Sequence, residues 1–213
     1  MRASARRSPA DVRSDILAAA WDLFRQLGVR ATIADVAERL GMSSANIYRF
    51  FPSKQALTDA ICANQLAALT EAARVAAAGP GGAGQRIRAT ILALNAGMVE
   101  QMLHEARMHE VVDLALNEHW PAVDAFYTRC VDIVAALVAD GQALGEFGPG
   151  EPRALARRTF AACVAAYHPT LIAKAADLNA PASPEELVDF ALRALANRDP
   201  QIRSAAPGEG AAP

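Results

Sequence analysis

Residues 31–54, ATIADVAERLGMSSANIYRFFPSK, decide the fold because they predict two short helices, a tight turn and the start of a third helix. Apolar side chains recur at helical spacing in the first of these helices, at Ile33, Val36, Ala37 and Leu40. Gly41 ends that helix, because a residue without a Cβ accommodates the positive φ that follows a last turn. Ser43 caps a second helix that is predicted to continue through Phe50, and Pro52 ends it.

Two helices joined by a glycine turn form a helix-turn-helix, whose second helix fits the major groove of DNA. Ile47 and Phe51 lie four residues apart and are predicted to face the core. The remaining positions are small enough for close approach of the backbone or polar enough to bond base edges, namely Ser44, Ala45, Asn46 and Arg49. Tyr48 suits a phosphate oxygen, and Lys54 adds its charge to the first turn of the next helix, which already favours an anion.

This segment resembles the TetR-type (TetR/AcrR) bacterial transcriptional repressors. The resemblance extends over about residues 14–61 and rests on many positions together: Phe24, Gly28, Ala31, Thr32, Ile33, Asp35, Val36, Ala37, Gly41, Met42, Ser43, Ile47, Tyr48, Phe51, Ser53, Lys54 and Leu57. Ala45 stands where the family commonly has Gly, and Phe50 stands where His or Tyr is frequent. A phenyl ring at position 50 offers only stacking or methyl packing, so one polar DNA contact of the family lacks its counterpart.

The resemblance implies a DNA-binding regulator, most directly a repressor that leaves a palindromic operator when a small, largely apolar ligand binds. The DNA-contacting residues are then predicted to be Thr32, Ser43, Ser44, Ala45, Asn46, Tyr48, Arg49 and Lys54. The alternatives are an activator or architectural DNA binder without an inducer, and a helical enzyme with a vestigial head. The same geometry also occurs in structural bundles, where Ser43 is only a cap and Lys54 only a solvated charge.

The distribution of charge agrees with DNA binding although the total does not. The chain has 213 residues and a net charge of −2, and 53% of its residues are hydrophobic, which favours helices and a substantial core. Residues 1–60 carry nine Lys or Arg against six Asp or Glu, a net charge of +3, whereas the remainder has a net charge of −5. A basic head on an acidic body is typical of a DNA-binding module attached to a part that does not touch DNA.

Cysteine usage and hydropathy indicate the compartment. Cys62, Cys130 and Cys163 are widely separated and form no CxxC pair, which favours a reducing environment over a disulfide framework. No apolar run approaches the roughly 20 residues that span a bilayer, and the N-terminus is polar where a signal peptide is apolar. We therefore expect a soluble, cytoplasmic protein without a membrane partner.

Four parts are predicted along the chain. Residues 1–10 are a basic arm, expected to be disordered, whose arginines either follow the DNA backbone or are simply solvated. Residues 11–60 are the helix-turn-helix domain, residues 61–198 are a helical body, and residues 199–213 are a disordered tail. The fold class is therefore all-α, with a three-helix head and a ligand-binding and dimerisation body, and about nine helices in all.

Helix boundaries in the body follow from glycine and proline. The helix from Ser53 is predicted to run for about 25 residues to the break at residues 79–85, GPGGAGQ. Helices follow to about residue 106, over residues 107–119, and from Pro121 to the loop at residues 145–152. Pro169 must kink or split the next helix, predicted over residues 153–176, and Ser183 caps the last one in a capping box with Glu186.

The last two long helices carry apolar stripes wider than one partner helix covers. Two copies of the chain could pair them into a four-helix bundle, and the resembling family dimerises in this way. Two heads about 34 Å apart then meet successive major grooves, so the operator is expected to be a near-palindrome. The alternative is that these stripes form internal core only.

A ligand cavity is implied by the resemblance for the helices between residues 86 and 168. Its candidate lining residues combine adaptable, aromatic and single polar side chains: Met98, Met102, Trp120, Phe126, Tyr127, Phe160, Cys163, Tyr167 and His168. Each of them could equally be plain core.

Metal and enzyme chemistry lack sequence support. His104 and His109 are five residues apart, which places them on different helix faces, and no short ligand pair accompanies the histidines and cysteines. The chain has no Gly-rich phosphate loop, no GxSxG and no HExxH motif. We therefore predict no catalytic residue, no metal site and no cofactor.

Overall fold

A computed structural model describes residues 8–102, 114–116, 118–175 and 182–196, without the side chains of residues 101 and 102. This part of the chain is predominantly helical, and its only β-type pairing is an isolated antiparallel bridge between Phe147 and Ala196. The predicted all-α class is thereby confirmed. Among the helices of these residues, none combines the length and the apolar character that crossing a bilayer requires.

Ten α-helices have defined bounds in the described residues. In chain order they are α1 Pro9–Leu27, α2 Ile33–Leu40, α3 Ser44–Tyr48, α4 Lys54–Ala77, α5 Ala83–Met102, α6 Pro121–Ala143, α7 Pro152–Ala162, α8 Val164–Tyr167, α9 Pro169–Ala175 and α10 Pro184–Leu195. A short 3-10 helix, Gly28–Arg30, follows α1. The predicted breaks at residues 79–85 and 145–152 therefore separate helices, although α5 already begins inside the first of them.

Several helices begin at the residues that the sequence predicts. The Ser183 hydroxyl accepts from the Glu186 backbone N–H at 3.2 Å, and the Glu186 carboxylate accepts from the Ser183 N–H at 2.7 Å, which is the predicted capping box of α10. The Ser53 hydroxyl accepts from the Ala56 N–H at 3.0 Å where α4 begins. Pro121 is the first residue of α6, where its missing N–H costs no hydrogen bond.

The described residues divide into two compact units, of which the first contains residues 8–66, 114–116 and 118–124. Its core, within the described residues, joins α1 to α4: Ile16, Ala20, Leu23, Phe24, Ala31, Ile33, Val36, Ala37, Ile47, Phe51, Leu57 and Ile61. Ala115 and Trp120 belong to the same core. The sequence predicts all residues after 60 in the body, whereas the described residues of 114–124 cluster with the N-terminal helices.

The second unit contains the described residues 67–102, 125–175 and 182–196. Its described interior is formed by side chains of α5, α6, α7 and α10, including Ile87, Ile91, Leu94, Val134, Leu137, Val138, Val188, Ala191 and Leu195. The Glu146 carboxylate accepts from the backbone N–H groups of Ala83 and Gly84, each at 3.2 Å, and so caps α5 from the loop after α6. The Gly148 N–H donates to the Leu195 carbonyl at 2.9 Å, which fixes that loop to the end of α10.

The helix predicted over residues 153–176 is divided into three. Pro169 splits it as predicted, because α9 begins at that proline and His168 before it is extended, with φ −82° and ψ 117°. A second break falls at Cys163, with φ −95° and ψ 10°, where the backbone N–H is shared between carbonyls of the preceding turn. Since no glycine or proline marks that position, the sequence did not predict it. Of the two long helices expected to form the dimer, the first is therefore represented mainly by the shorter α7, and the second is α10.

The predicted basic arm is shorter than residues 1–10. The Ser8 N–H donates to the Asp11 carboxylate at 3.0 Å and the Asp11 N–H donates to the Ser8 hydroxyl at 3.1 Å. This capping box starts α1 at Pro9, a position that suits proline. The expectations of disorder for residues 1–7 and for the tail at 199–213 concern residues outside those described, as does most of the helix predicted over 107–119.

Candidate nucleic-acid interface

The turn between α2 and α3 is fixed by hydrogen bonds at both ends of α2. The Thr32 hydroxyl accepts from the Asp35 backbone N–H at 3.2 Å, and the Asp35 carboxylate accepts from the Thr32 N–H at 2.8 Å. Gly41 ends α2 with φ 61° and ψ 33°, and the Met42 N–H donates to the Ala37 carbonyl at 2.9 Å. These bonds satisfy the groups that helix ends leave open, so they set the direction in which α3 starts.

The hydrogen bonds of Thr32 also change the pKa of Asp35. The Thr32 hydroxyl donates to the Asp35 carboxylate at 2.7 Å, and this bond together with the backbone bond lowers the pKa of Asp35 below its ordinary value. The nearby charge of Lys54 lowers that pKa further. Asp35 is therefore firmly anionic at neutral pH, and it lies on the same helix cap as Thr32, a predicted DNA contact with an exposed side chain.

α3 turns one face to the core and the other to solvent. Ile47 is fully buried and Phe51 is 2% exposed, so their predicted burial is confirmed. The Ser43 hydroxyl accepts from the Asn46 N–H at 3.2 Å and caps the helix. The outer face consists of side chains that the sequence assigns to DNA: Ser43, Ala45, Tyr48 and Arg49 are exposed, and Ser44 and Asn46 are half-buried. Their contacts with DNA stay a prediction.

The helix is shorter than predicted. It ends at Tyr48 rather than Phe50, and the N–H groups of Phe50 and Phe51 both donate to the Ile47 carbonyl at 3.0 Å in a turn. Phe50 is half-buried and packs against the core of the unit. Its ring therefore occupies the inner side of the turn, which explains why an apolar residue is accepted there.

Lys54 lies at the start of α4, but its ammonium is turned toward its own unit. Nζ donates to the Val29 carbonyl at 2.6 Å and lies 5.9 Å from the centroid of the Phe24 ring. The side chain remains exposed, and an ammonium has three N–H donors, so a phosphate contact through the others is sterically open. The sequence predicted the position of Lys54 but not the contact with Val29.

Two contacts beside α6 were not predicted. The Asp59 carboxylate, on α4, accepts from the Ala122 N–H at 3.1 Å and caps α6. Trp120 is 2% exposed, and its Nε1–H donates to the Glu118 carboxylate at 2.9 Å. A tryptophan directly before a proline that begins a helix is expected to be buried. The spacing of the sequence does not indicate which part of the core it packs against.

The residues predicted to line a ligand cavity lie mostly in the second unit. The Phe160 ring stacks on Tyr167 with centroids 4.1 Å apart and meets the Tyr127 ring edge-on at 5.3 Å. The Tyr167 hydroxyl donates to the Phe160 carbonyl at 2.8 Å. Phe126 and Met98 are buried as well. These rings pack against one another, so a ligand does not fit between them. They could line a cavity only through the ring faces that point away from this stack.

The polar groups of this aromatic cluster are uncharged at neutral pH. Burial raises the pKa of the Cys130 thiol to about 12 and that of the Cys163 thiol to about 11. Burial also raises the pKa of Tyr167, and the neighbouring Tyr127, Cys163 and Cys130 raise it further. The cluster therefore offers hydrogen-bonding groups without charge, which suits a largely apolar molecule.

The remaining predicted lining residues are Trp120, Met102 and His168. Trp120 belongs to the core of the first unit and not to the aromatic cluster around Phe160. The side chain of Met102 lies outside the described residues. His168 is half-buried, and its N–H donates to the Val164 carbonyl at 2.8 Å.

No group of three His, Cys, Asp or Glu side chains in the described part of the chain is arranged to hold a metal ion. His104 and His109 lie outside that part.

Two family models match the chain. The model described as bacterial regulatory proteins, tetR family, matches residues 16–61, and the model described as tetracyclin repressor-like, C-terminal domain, matches residues 83–188. Among curated proteins, none matches the chain.

Solved structures are similar over most of the chain. A transcriptional regulator of the TetR/AcrR family from Thermobifida fusca is 25% identical, with a TM-score of 0.61 over 86% of this chain and 95% of that one. A protein of unknown function from Rhodococcus sp. RHA1 is also 25% identical, with a TM-score of 0.68 over 92% and 100%. SmeT, the repressor of the Stenotrophomonas maltophilia multidrug efflux pump SmeDEF, is 18% identical, with a TM-score of 0.62 over 94% and 96%, and shows the same fold.

Proposed function

The chain belongs to the TetR family of bacterial transcriptional regulators, which are DNA-binding proteins and not enzymes, and on this premise we propose that it is a repressor. In this proposal two copies bind a near-palindromic operator and release it when a small, largely apolar molecule enters the second unit. Repression acts on the bacterial chromosome, which places the protein in the cytoplasm.

The observation that carries the proposal is the outer face of α3. Ser44 and Asn46 have short polar side chains that suit base edges in the major groove, and Ala45 between them allows close approach. Tyr48, which is 49% exposed, and Arg49 are exposed at the end of the helix, and we assign both to the phosphate backbone, which for Arg49 replaces the base-edge contact that the sequence suggested. The caps at Thr32 and Ser43 hold this face in a fixed direction, which favours recognition of sequence over unspecific attraction.

Release of the operator is proposed as a population shift. A ligand that binds better to one arrangement of the chain favours that arrangement by the difference in binding free energy. The chemistry of the aromatic cluster around Phe160 supports an apolar ligand, because Tyr167, Cys130 and Cys163 are buried and burial raises the pKa of each. Operator affinity then falls if the favoured arrangement no longer spaces two heads by one turn of DNA, about 34 Å.

The test is DNA binding by variants of the α3 face, measured by fluorescence anisotropy on DNA from upstream of the protein's own gene. Arg49→Ala is expected to weaken binding to all sequences and to reduce the salt slope by about 1, since it removes one phosphate contact. Asn46→Ala is expected to change sequence preference, with a cost of about 1–3 kcal/mol for the preferred site.

Arg74→Ala is the matched control. It removes an equal charge from α4, where Arg74 pairs with Glu71 at 2.6 Å on the surface, and it should leave operator affinity unchanged. Operator binding that survives both Arg49→Ala and Asn46→Ala with its sequence preference intact would show that α3 is not the recognition helix.

A further inference from the structure

A small cavity of about 150 Å³, open to solvent on one side, lies in the first unit between α1, the first turns of α4 and the residues just before α6. The rings of Phe24 and Trp120 form aromatic walls, and Val29 and Leu114 add aliphatic surface. Phe24 and Trp120 are 3% and 2% exposed, so the floor of the cavity is rigid core. Apolar cavities of about 150 Å³ are known to bind benzene, so this one has room for a single six-membered ring.

The cavity contains one charged group. Of the seven side chains that line it, only Lys54 is charged. Its ammonium donates to the Val29 carbonyl at 2.6 Å, which leaves two N–H donors. Two other donors on the wall are engaged, because the Thr58 hydroxyl donates to the Lys54 carbonyl at 2.8 Å and the Trp120 Nε1–H donates to Glu118. The Gln55 amide also lines the cavity and is a neutral donor. Lys54 is the charged donor among these lining side chains, so an anionic ligand that also contacts the rings would gain most from a hydrogen bond there.

The acidic groups near the cavity do not occupy that position. Asp35 is close enough for the charge of Lys54 to lower its pKa, but its carboxylate is bound by the hydroxyl and backbone N–H of Thr32. Glu118 accepts from the Trp120 ring N–H. Neither carboxylate lines the cavity, so among the residues that the structure describes no counter-ion for the Lys54 ammonium lies in the cavity wall.

We propose that this cavity is a second ligand site, located in the DNA-binding unit, for a small aromatic monocarboxylate of the size of benzoate. The ring lies between Phe24 and Trp120, and the carboxylate accepts from the Lys54 ammonium. This site is separate from the aromatic cluster around Phe160 and does not depend on release of the operator by a ligand there. Because Lys54 is also a candidate phosphate contact, a bound carboxylate competes with DNA for the same ammonium.

The test uses the full-length protein with benzoate as the probe. The chain has two lysines, Lys54 and Lys174, so labelling with ¹³C,¹⁵N-lysine gives two side-chain NMR signals that need only one assignment variant. Benzoate at millimolar concentration is expected to shift the Lys54 signal and to leave the Lys174 signal in place. Lys54→Met, which keeps the length of the side chain, should weaken benzoate binding at least about tenfold in calorimetry, and neutral benzyl alcohol should bind to the wild type at least about tenfold more weakly.

A second variant blocks the cavity without touching the charge. Leu114 is 36% exposed, so Leu114→Trp can fill the opening with little strain on the core, and it should abolish the shift of the Lys54 signal. Lys174→Met is the control and should bind benzoate as the wild type does. The proposal is overturned if benzoate does not bind at millimolar concentration, if it binds without shifting the Lys54 signal, or if neither Lys54→Met nor Leu114→Trp weakens it.

Discussion

Tyr167 is held in the second unit by a stack on Phe160 and by a hydrogen bond from its hydroxyl to the Phe160 carbonyl. Tyr167→Phe keeps the ring and removes the donor from a site that is 7% exposed. Because the lost bond is buried, we expect the free energy of unfolding to fall by about 1 kcal/mol, measured by urea denaturation at neutral pH.

Tyr127→Phe is the matched control for that change. The Tyr127 ring meets the same Phe160 ring, but its side chain is 39% exposed, so water can replace any bond of its hydroxyl. The expected change in unfolding free energy is below about 0.5 kcal/mol. Equal losses for the two variants would mean that the hydrogen bond to the Phe160 carbonyl does not stabilise the fold.

Individual residues were predictable where their role is decided within a few positions of the chain. Ser43 caps α3, Gly41 is left-handed, and Ile47 is buried, as the sequence predicts, because each follows from its immediate neighbours. Lys54 and Trp120 were not predictable in the same way. Their partners, the Val29 carbonyl and the core of the first unit, are set by packing between segments distant in sequence.

Helix boundaries could be predicted where a single residue such as proline determines them, but not where the sequence carries no such residue. Pro121 and Pro169 each begin a helix because proline fixes φ and lacks an N–H, and this can be inferred without knowing the fold. The break at Cys163 has no such signal, and the residue is fully buried. Tertiary packing therefore overrides helix propensity there, which the sequence pattern of residues 153–176 could not indicate.

The start of α6 depends on a residue from another helix. Ala122 is 5% exposed, and its N–H is satisfied by the Asp59 carboxylate at 3.1 Å. Asp59→Ala leaves that buried donor without its acceptor, so we expect unfolding to become easier by about 1 kcal/mol in urea denaturation.

Asp59→Asn separates the hydrogen bond from the charge. The amide keeps an oxygen that can accept from the Ala122 N–H, so its cost should be less than half that of Asp59→Ala. If Asn and Ala were equally destabilising, the charge of Asp59 rather than its capping bond would be responsible, since carboxylates are also favoured near a helix N-terminus.

For the whole molecule, the proposed dimer is constrained by what a single chain already buries. On α10 the predicted apolar stripe is largely internal, because Val188, Ala191 and Leu195 are buried within one chain. The exposed residues of α7 and α10 are of another kind. Phe190 is 66% exposed, Glu185 and Glu186 are exposed on the same helix, and Arg157 and Arg158 are exposed on α7. An exposed phenyl ring on a helix that also carries exposed acidic residues, together with exposed basic residues on α7, offers groups that two copies could pair about a two-fold axis.

Phe190→Glu is therefore expected to convert a dimer into a monomer, measured as molar mass by light scattering during gel filtration at micromolar concentration. A buried aromatic anchor is often worth 2 kcal/mol or more at an interface, roughly 30-fold or more in the dissociation constant, and the new charge adds a desolvation cost. Leu144→Glu is the control, because Leu144 is even more exposed, at 71%, but follows α6 and lies outside α7 and α10. A Phe190→Glu protein that remains dimeric would place the dimer surface elsewhere. A monomeric one should also lose operator affinity, since each half-site would then bind its head separately.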